Sequence, residues 1–187
     1  MGIRSFIAIN LNNNIKKGLI KIEDSLRNIF KYSKINWVKE ENLHITLRFL
    51  GEIEEEDIEK IENTLYPLFS KYDSLNLNFH NFGIFPGIKH PRVLWIGSDY
   101  EPSFQKLYKE FNMVIEKLGF PEDKPFLPHI TLGRIKYMHK RDLNGLKEFI
   151  NTFSISYKEK VEKIDLMRSV LTSKGPIYTV IRSFYLK

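Results

Sequence analysis

An α+β or mixed α/β architecture of two similar lobes is the fold class this sequence predicts, and three observations predict it. Segments with the two-residue period of strands are interspersed with segments of helical period. The tetrad His-Ile-Thr-Leu occurs twice, beginning at His44 and His129, 85 residues apart in a chain of 187. The last two apolar segments are joined by a Ser-Lys-Gly-Pro turn and read as an antiparallel hairpin.

Taken in order, IRSFIAINL near the N-terminus reads as a buried strand. Residues 13 to about 32 carry Ile15, Leu19, Ile22, Leu26 and Ile29 at helical spacing. After a short extended stretch at 35 to 38, LHITLRFLG alternates. Leu43, Ile45, Leu47 and Phe49 fall on one face, and His44, Thr46 and Arg48 on the other, which predicts a half-buried strand with a polar working face. The acidic stretch from Glu54 sets Ile58, Ile61, Leu65 and Leu68 along one side of a second helix, shortened or bent by Pro67, and one lobe can close there. LNLNFHNFGIF and RVLWIGSD, separated by Pro86-Gly87, suit a sheet. From 102 to 118, Phe104, Leu107, Phe111, Val114, Ile115 and Leu118 make a third helical stripe that Gly119 ends. The loop FPEDKPFLP delivers the strand HITLGRI, a short helix spans about 142 to 150, and FSISY, VEKIDLMRSVL and IYTVIRSFYL read as the closing strands. The recurrence of the tetrad points to internal duplication within a single unit spanning residues 1 to 187.

Composition narrows the function classes. Hydrophobic residues at 42% and charged residues at 28% are those of a globular protein. No apolar run nears the ~20 residues needed to cross a bilayer, and MGIRSFIAINL lacks the apolar core and cleavage site of a signal peptide, so a cytoplasmic protein without membrane contact is expected. The absence of cysteine excludes disulfides, a thiol nucleophile and thiolate metal sites. A net charge of +6 favours a polyanionic partner, although much of the lysine sits in mixed-sign helical faces such as EIEEEDIEKIE.

The doubled motif carries the chemistry. With five His and six Thr, chance predicts about 0.16 His-x-Thr occurrences in the chain. Two are present, both on alternating apolar strands, where residues i and i+2 share a face, so each strand presents an imidazole beside a hydroxyl. A duplicated structural strand would produce the repeat as well; the paired polar side chains are what favour a site. If the two strands meet across a cleft, His44 and His129 flank one bound group, and a phosphate suits it. Thr46 and Thr131 donate to its oxygens while one neutral imidazole takes a proton and one protonated imidazole gives one. No Gly-rich triphosphate loop is present, and a strained cyclic phosphodiester needs no metal-activated nucleophile, so neither cofactor nor metal is expected. No carboxylate stands in phase with either His to complete a metal site.

ENLHITLRFLG and KPFLPHITLGR, with the RSFIAI start and the RVLWIG segment, resemble the twin signatures of the two-histidine phosphoesterases, in particular the RNA 2′,3′-cyclic phosphodiesterases first described as 2′-5′ RNA ligases. The resemblance covers nearly the whole chain. It implies a bilobal, duplicated α+β fold of two antiparallel-rich sheets facing a central cleft with helices outside. It further implies hydrolysis of an RNA terminal 2′,3′-cyclic phosphate to a 2′-phosphate, with His129 as proton acceptor and His44 as proton donor. The nearly symmetric motifs alone do not assign those roles. The expected partner is RNA with a cyclic phosphate terminus, bound by a monomer with no obligate protein partner. Reverse 2′-5′ ligation and a non-catalytic RNA-binding module are the alternatives.

Secondary candidates follow. Arg48 is in phase with His44 and Thr46. Arg134 follows the second motif, but strict alternation turns it away from His129 and Thr131 unless a bulge intervenes. Phe49, Phe85, Trp95 and Phe126 are candidate base-stacking platforms, although core packing is the better reading of each, and Arg92 is a candidate for an RNA track. His80, His90 and His139 lack a Thr partner and read as surface or structural residues.

Overall fold

The apolar periods resolve into nine strands and four α-helices among the described residues, 2–99, 101–121 and 125–187 of the computed structural model. The order is β1 (Ile3–Asn10), α1 (Asn13–Ile29), β2 (Lys34–Trp37), a 3-10 turn (Glu40–Asn42), β3 (His44–Ile53), α2 (Glu55–Phe69), β4 (Leu75–Phe85) and β5 (Val93–Ser98). Then come α3 (Pro102–Lys117), β6 (His129–Tyr137), α4 (Lys140–Thr152), β7 (Tyr157–Val161), β8 (Lys163–Thr172) and β9 (Gly175–Tyr185). Residues 122 to 124 of the loop before the second motif lie outside the described residues.

Local chemistry sets the helix ends. The Asn12 side chain caps α1 by accepting from the Ile15 N–H, and Ile15, Leu19, Ile22 and Leu26 are buried as the stripe requires. The helix stops at Ile29, short of the expected 32, where the Phe30 N–H bonds the Leu26 carbonyl. A capping box between Glu54 and Asp57 opens α2, which runs through Pro67 to Phe69. Pro67 stands in the last turn, where its missing N–H forfeits one helical bond. Gly119, at φ +94°, supplies the left-handed residue that ends α3. The expected FSISY strand is displaced: β7 begins at Tyr157, where that segment ends.

All the pairings are antiparallel, in the order β7-β4-β5-β6-β3-β1-β8-β9, with β2 added to β6. The two expected antiparallel-rich sheets are therefore halves of one curved sheet. They join at a narrow seam, the single pair Ile45↔Ile130 between β3 and β6. Read outward from the seam, β6-β5-β4-β7 mirrors β3-β1-β8-β9. The halves are not the N- and C-terminal halves of the chain, as a lobe closing after α2 would require: the last hairpin, β8–β9, returns to complete the sheet that β1 and β3 begin.

The helices cover one face. α1 packs on α4 and β7, and α2 on α3 and β9, over a single apolar core in which Ile7, Ile9, Ile45, Leu94, Ile130 and Phe111 are almost fully buried. Close approach uses Gly18, where a Cβ would meet the Tyr157 ring at 2.7 Å. On the opposite face of β1, Phe6 and Ala8 join Met167 and Tyr178 in a small second cluster that floors the concave side.

Both motif strands are bulged just past the threonine. On β3, Ala8 pairs with Thr46 and Ile7 with Arg48, leaving Leu47 as the extra residue. On β6, Trp95 pairs with Thr131 and Leu94 with Gly133, leaving Leu132 as the extra residue. A bulge shifts the side-chain alternation by one. This corrects two expectations on β3. Arg48 turns into the core side, 5% exposed, with Nη1 donating to the Phe120 carbonyl at 3.1 Å. Phe49 turns out to 64% exposure. On β6 the same device brings Arg134 round to the working face that strict alternation denied it.

Candidate active site

The seam builds the site. Because Ile45 pairs with Ile130 in an antiparallel register, His44 stands opposite Thr131 and Thr46 opposite His129. Directly opposed residues on one face hold their Cβ atoms ~5 Å apart. The four polar side chains thus form one cluster with a local two-fold relation about the Ile45–Ile130 pair, and all four line one cavity of about 740 Å³.

Each histidine is oriented by the carbonyl two residues before it. Nδ1 of His44 lies 2.7 Å from the Asn42 carbonyl, and Nδ1 of His129 lies 2.7 Å from the Leu127 carbonyl. A carbonyl only accepts, so Nδ1 carries the proton in both rings and a neutral ring keeps its lone pair on Nε2. The halves then diverge. His44 Nε2 is 2.9 Å from Thr46 Oγ1, whose hydroxyl donates to it, whereas no such bond links His129 to Thr131.

Electrostatics separates them further. Burial pushes the His44 pKa down to about 4; the Asn42 carbonyl opposes the shift, and Lys16, His129 and Arg134 add to it. Burial also lowers His129, opposed by the Leu127 carbonyl and assisted by Arg134. Both rings are neutral at pH 7 in the free protein.

Of the remaining candidates, Arg134 and Phe49 line the cavity. They occupy equivalent positions, each five residues after its histidine. Phe85 stacks on Trp95 at 4.8 Å and meets His129 edge-on at 5.1 Å, so it buttresses the imidazole from behind rather than lining the cavity. Trp95 lies flat across Gly83, where a Cβ would come within 2.0 Å of its ring. Arg92 is exposed beside Phe85 and outside the cavity lining, its backbone bonding Phe85 and Ile135. Phe126 is placed elsewhere: it stacks on Tyr108 of α3 at 4.0 Å, on the helix side of the sheet, which removes it as a base platform. Arg48 is likewise absent from the lining.

Several cavity residues escaped sequence reasoning. Tyr178 of β9 meets His44 edge-on at 5.4 Å, and Phe6 packs on the same imidazole at 5.0 Å. Arg4, Lys39 and Lys174 bring the lining to four cations with no Asp or Glu. Buried Asn42 ties the His44 segment to the β8–β9 hairpin, its Nδ2 donating to the Pro176 carbonyl at 2.9 Å. Among the described residues no group of three or more His, Cys, Asp or Glu is placed to hold a metal ion, and no helix is long and apolar enough to cross a membrane.

Comparison with known proteins gives a consistent picture. The family model LigT like Phosphoesterase matches residues 9–95 and 97–178. The RNA 2′,3′-cyclic phosphodiesterase of Methanothermobacter thermautotrophicus is 31% identical over 190 residues, covering all of both chains. That of Methanocaldococcus jannaschii is 34% identical over 184 residues, covering 97% of this chain and 100% of its own. Among solved structures, TT0787 of Thermus thermophilus superposes with a TM-score of 0.81 at 28% identity, covering 98% of this chain and 97% of that one. Escherichia coli LigT complexed with 3′-AMP shares the fold, with a TM-score of 0.77 at 22% identity over 100% of this chain and 99% of its own.

Proposed function

The chain belongs to the LigT-like phosphoesterase family, and on that premise we propose that it hydrolyses the 2′,3′-cyclic phosphate at an RNA terminus to a 2′-phosphate, with His44 and His129 as the acid–base pair. The observation that carries this reading is the seam register, which sets each imidazole opposite the other strand's threonine around one cavity.

The phosphate sits between the two Nε2 atoms, with its non-bridging oxygens toward Arg134 and the threonine hydroxyls. His129 is the base. Its Nε2 lone pair is not engaged by Thr131, so it can take a proton from a water whose oxygen attacks phosphorus in line with the 3′ oxygen. The bond from phosphorus to the 3′ oxygen breaks, and His44 delivers a proton to that oxygen, leaving a 3′ hydroxyl and a 2′-phosphate monoester. His44 must therefore be charged in the complex. Burial keeps it neutral in the free protein, and an anionic phosphate beside it favours the protonated form. Protonation ends the His44–Thr46 hydrogen bond: Nε2–H turns to the 3′ oxygen it will protonate, and the Thr46 hydroxyl is released to donate to phosphate. All of this uses groups on the chain, with cytoplasmic RNA ends as substrate and a monomer as the working unit.

The test is an oligonucleotide ending in a 2′,3′-cyclic phosphate, incubated with the protein in EDTA, its product resolved into 2′- and 3′-monoester. A 2′-monoester is expected. Loss of all turnover in EDTA, or a 3′-monoester, would overturn the scheme.

A further inference from the structure

We infer that the surface running from the cavity along β2 and β6 to the start of α4 is the track for the RNA strand upstream of the reacting end, with Tyr137 and the Tyr32–Arg141 pair as stacking platforms. The inference rests on the phosphodiesterase reading above and adds that the site prefers an oligonucleotide end to a free nucleotide.

Register places the track. In the proposed reaction His44 protonates the 3′ oxygen, so the departing ribose, with the strand attached to it, lies on the His44 side of the seam. Thr131 stands opposite His44, and β6 runs on from there, away from Thr46, to Arg134 and Tyr137, with β2 paired alongside. Asn36 pairs with Arg134, and both line the cavity. Ile35 and Ile135, the next pair, point the other way and pack on the core. A bulge at Lys136 then makes Lys34 the partner of Tyr137. Both therefore return to the face that Asn36 presents, two residues of β2, or about 7 Å, beyond it.

Contacts carry the surface onward. The Tyr137 ring meets that of His139 at 6.3 Å, His139 meets Tyr32 at 5.4 Å, and the Arg141 guanidinium lies over Tyr32 at 5.4 Å. Tyr137 and Tyr32 are nevertheless 57% and 55% exposed. Buried Asp142 holds the assembly together. Its carboxylate accepts from the Ser33 hydroxyl at 2.6 Å and from the Tyr32 N–H at 3.0 Å, while the Ser33 oxygen accepts from the His139 N–H at 2.9 Å. A platform fixed before binding loses little freedom when a base lands on it.

Charge identifies the occupant. Lys31, Lys34, Lys136, Lys140 and Arg141 are all exposed here, and none forms a salt bridge among the described residues. The only carboxylate side chain in residues 31–37 and 134–142 is that of Asp142, which is buried and engaged by Ser33 and Tyr32. Exposed aromatic rings set among cations, continuous with a phosphate site, suit single-stranded RNA: the bases stack on the rings and the phosphates meet the cations. A mononucleoside 2′,3′-cyclic phosphate has no upstream base to place there. An RNA end has.

The experiment compares kcat/KM for a trinucleotide and a mononucleoside, each ending in a 2′,3′-cyclic phosphate, in the natural protein and in the double variants Tyr32→Ala/Tyr137→Ala and Lys34→Gln/Arg141→Gln. The natural protein should favour the trinucleotide by about tenfold or more, the scale of one stacked base. The tyrosine variant should lose most of that ratio. The cation variant should lower it and flatten its decline with salt. Turnover of the mononucleoside should be unchanged in both, which also reports that they fold. A trinucleotide with abasic upstream residues should bring the natural protein's ratio down to that of the tyrosine variant, an arm that needs no substitution. A ratio near one in the natural protein, a ratio that either variant or the abasic substrate retains in full, or equal losses on both substrates overturns the inference. Turnover of neither compound by the natural protein would count instead against the hydrolase reading. The track is then read from the binding ratio of a 3′-phosphorylated trinucleotide to 3′-AMP, which must fall in the tyrosine variant if the inference is right and stay constant if it is wrong.

Discussion

His44 and His129 occupy equivalent places on strands paired through a single register contact, and each donates Nδ1–H to the carbonyl two residues back. Their surroundings are unlike. His44 is wedged between Phe6 and Tyr178, with Nε2 bonded to its own threonine, whereas the Nε2 of His129 is free of Thr131 and the ring rests edge-on against Phe85. The shared feature fixes the tautomer, so both rings aim the same nitrogen into the cavity. The unshared features decide what that nitrogen can do. A lone pair already engaged, on a ring that desolvation holds neutral, suits a group that acquires its proton only with the substrate, and an unengaged one suits a base. The positions after the bulges differ in the same way: β3 offers Arg48 to the core and Phe49 to the cavity, and β6 offers Gly133 to the sheet and Arg134 to the cavity.

The largest test of this division is removal of either ring. His129→Ala and His44→Ala should each lower kcat on a cyclic phosphate RNA by ~10²–10⁴-fold, with substrate binding retained. Full activity in either would break the pairing of roles. Arg134→Met should cost on the order of 10²-fold in kcat/KM, the scale of one lost donor to developing charge. Arg48→Met, by contrast, should leave the kcat of folded protein within a few-fold and lower stability in urea by ~1–3 kcal/mol, because it strips a donor from the Phe120 carbonyl. Equal kinetic losses in the two variants would refute the opposed facing of the two arginines. Gly133→Ala should destabilise by about 1–3 kcal/mol, since the new methyl would lie 2.9 Å from Ile35 and 3.0 Å from Trp37. The pH profile gives the smallest effect. Both imidazoles are lowered from 6.5 in the free protein, so the singly protonated pair peaks midway between two depressed values. The kcat/KM optimum should therefore fall below pH 6.5 and decline as pH rises, while kcat, reporting the anion-bound complex, should peak at higher pH. Because Arg134 lowers both rings, its removal should move the kcat/KM optimum upward. An optimum above 6.5 in the natural protein would mean that the rings are not held neutral.

Much of the fold was legible because its signals are local. The stripe of α1 and the alternation of the two motif strands each follow from a period that burial enforces. The pairing of His44 with His129 was legible from repetition alone. What escaped was non-local or unmarked. A bulge in Thr-Leu-Arg-Phe leaves no trace in composition, so Arg48 and Phe49 exchanged faces relative to the alternation. On β6, Gly133 directly after Leu132 is the residue that could have signalled the bulge, since a glycine inside a strand often marks one. Phe126 went to α3 because a stacked partner, Tyr108, was within reach there, and nothing in a single sequence ranks that contact against the cavity. Tyr178 and Lys174 were unremarkable until the last hairpin folded back beside β1.

That return of β8–β9 has a consequence for how the protein comes into being. A ribosome releases both histidine motifs well before it makes the strands that wall their cavity, so the nascent chain carries both imidazoles and an unpaired β1 edge, but no Tyr178 and no Lys174. The wall of the cavity is complete only when residues 163 to 185 have emerged and docked. Until then the open edge of β1 is a template for stray strand addition, which the docking of the final hairpin removes.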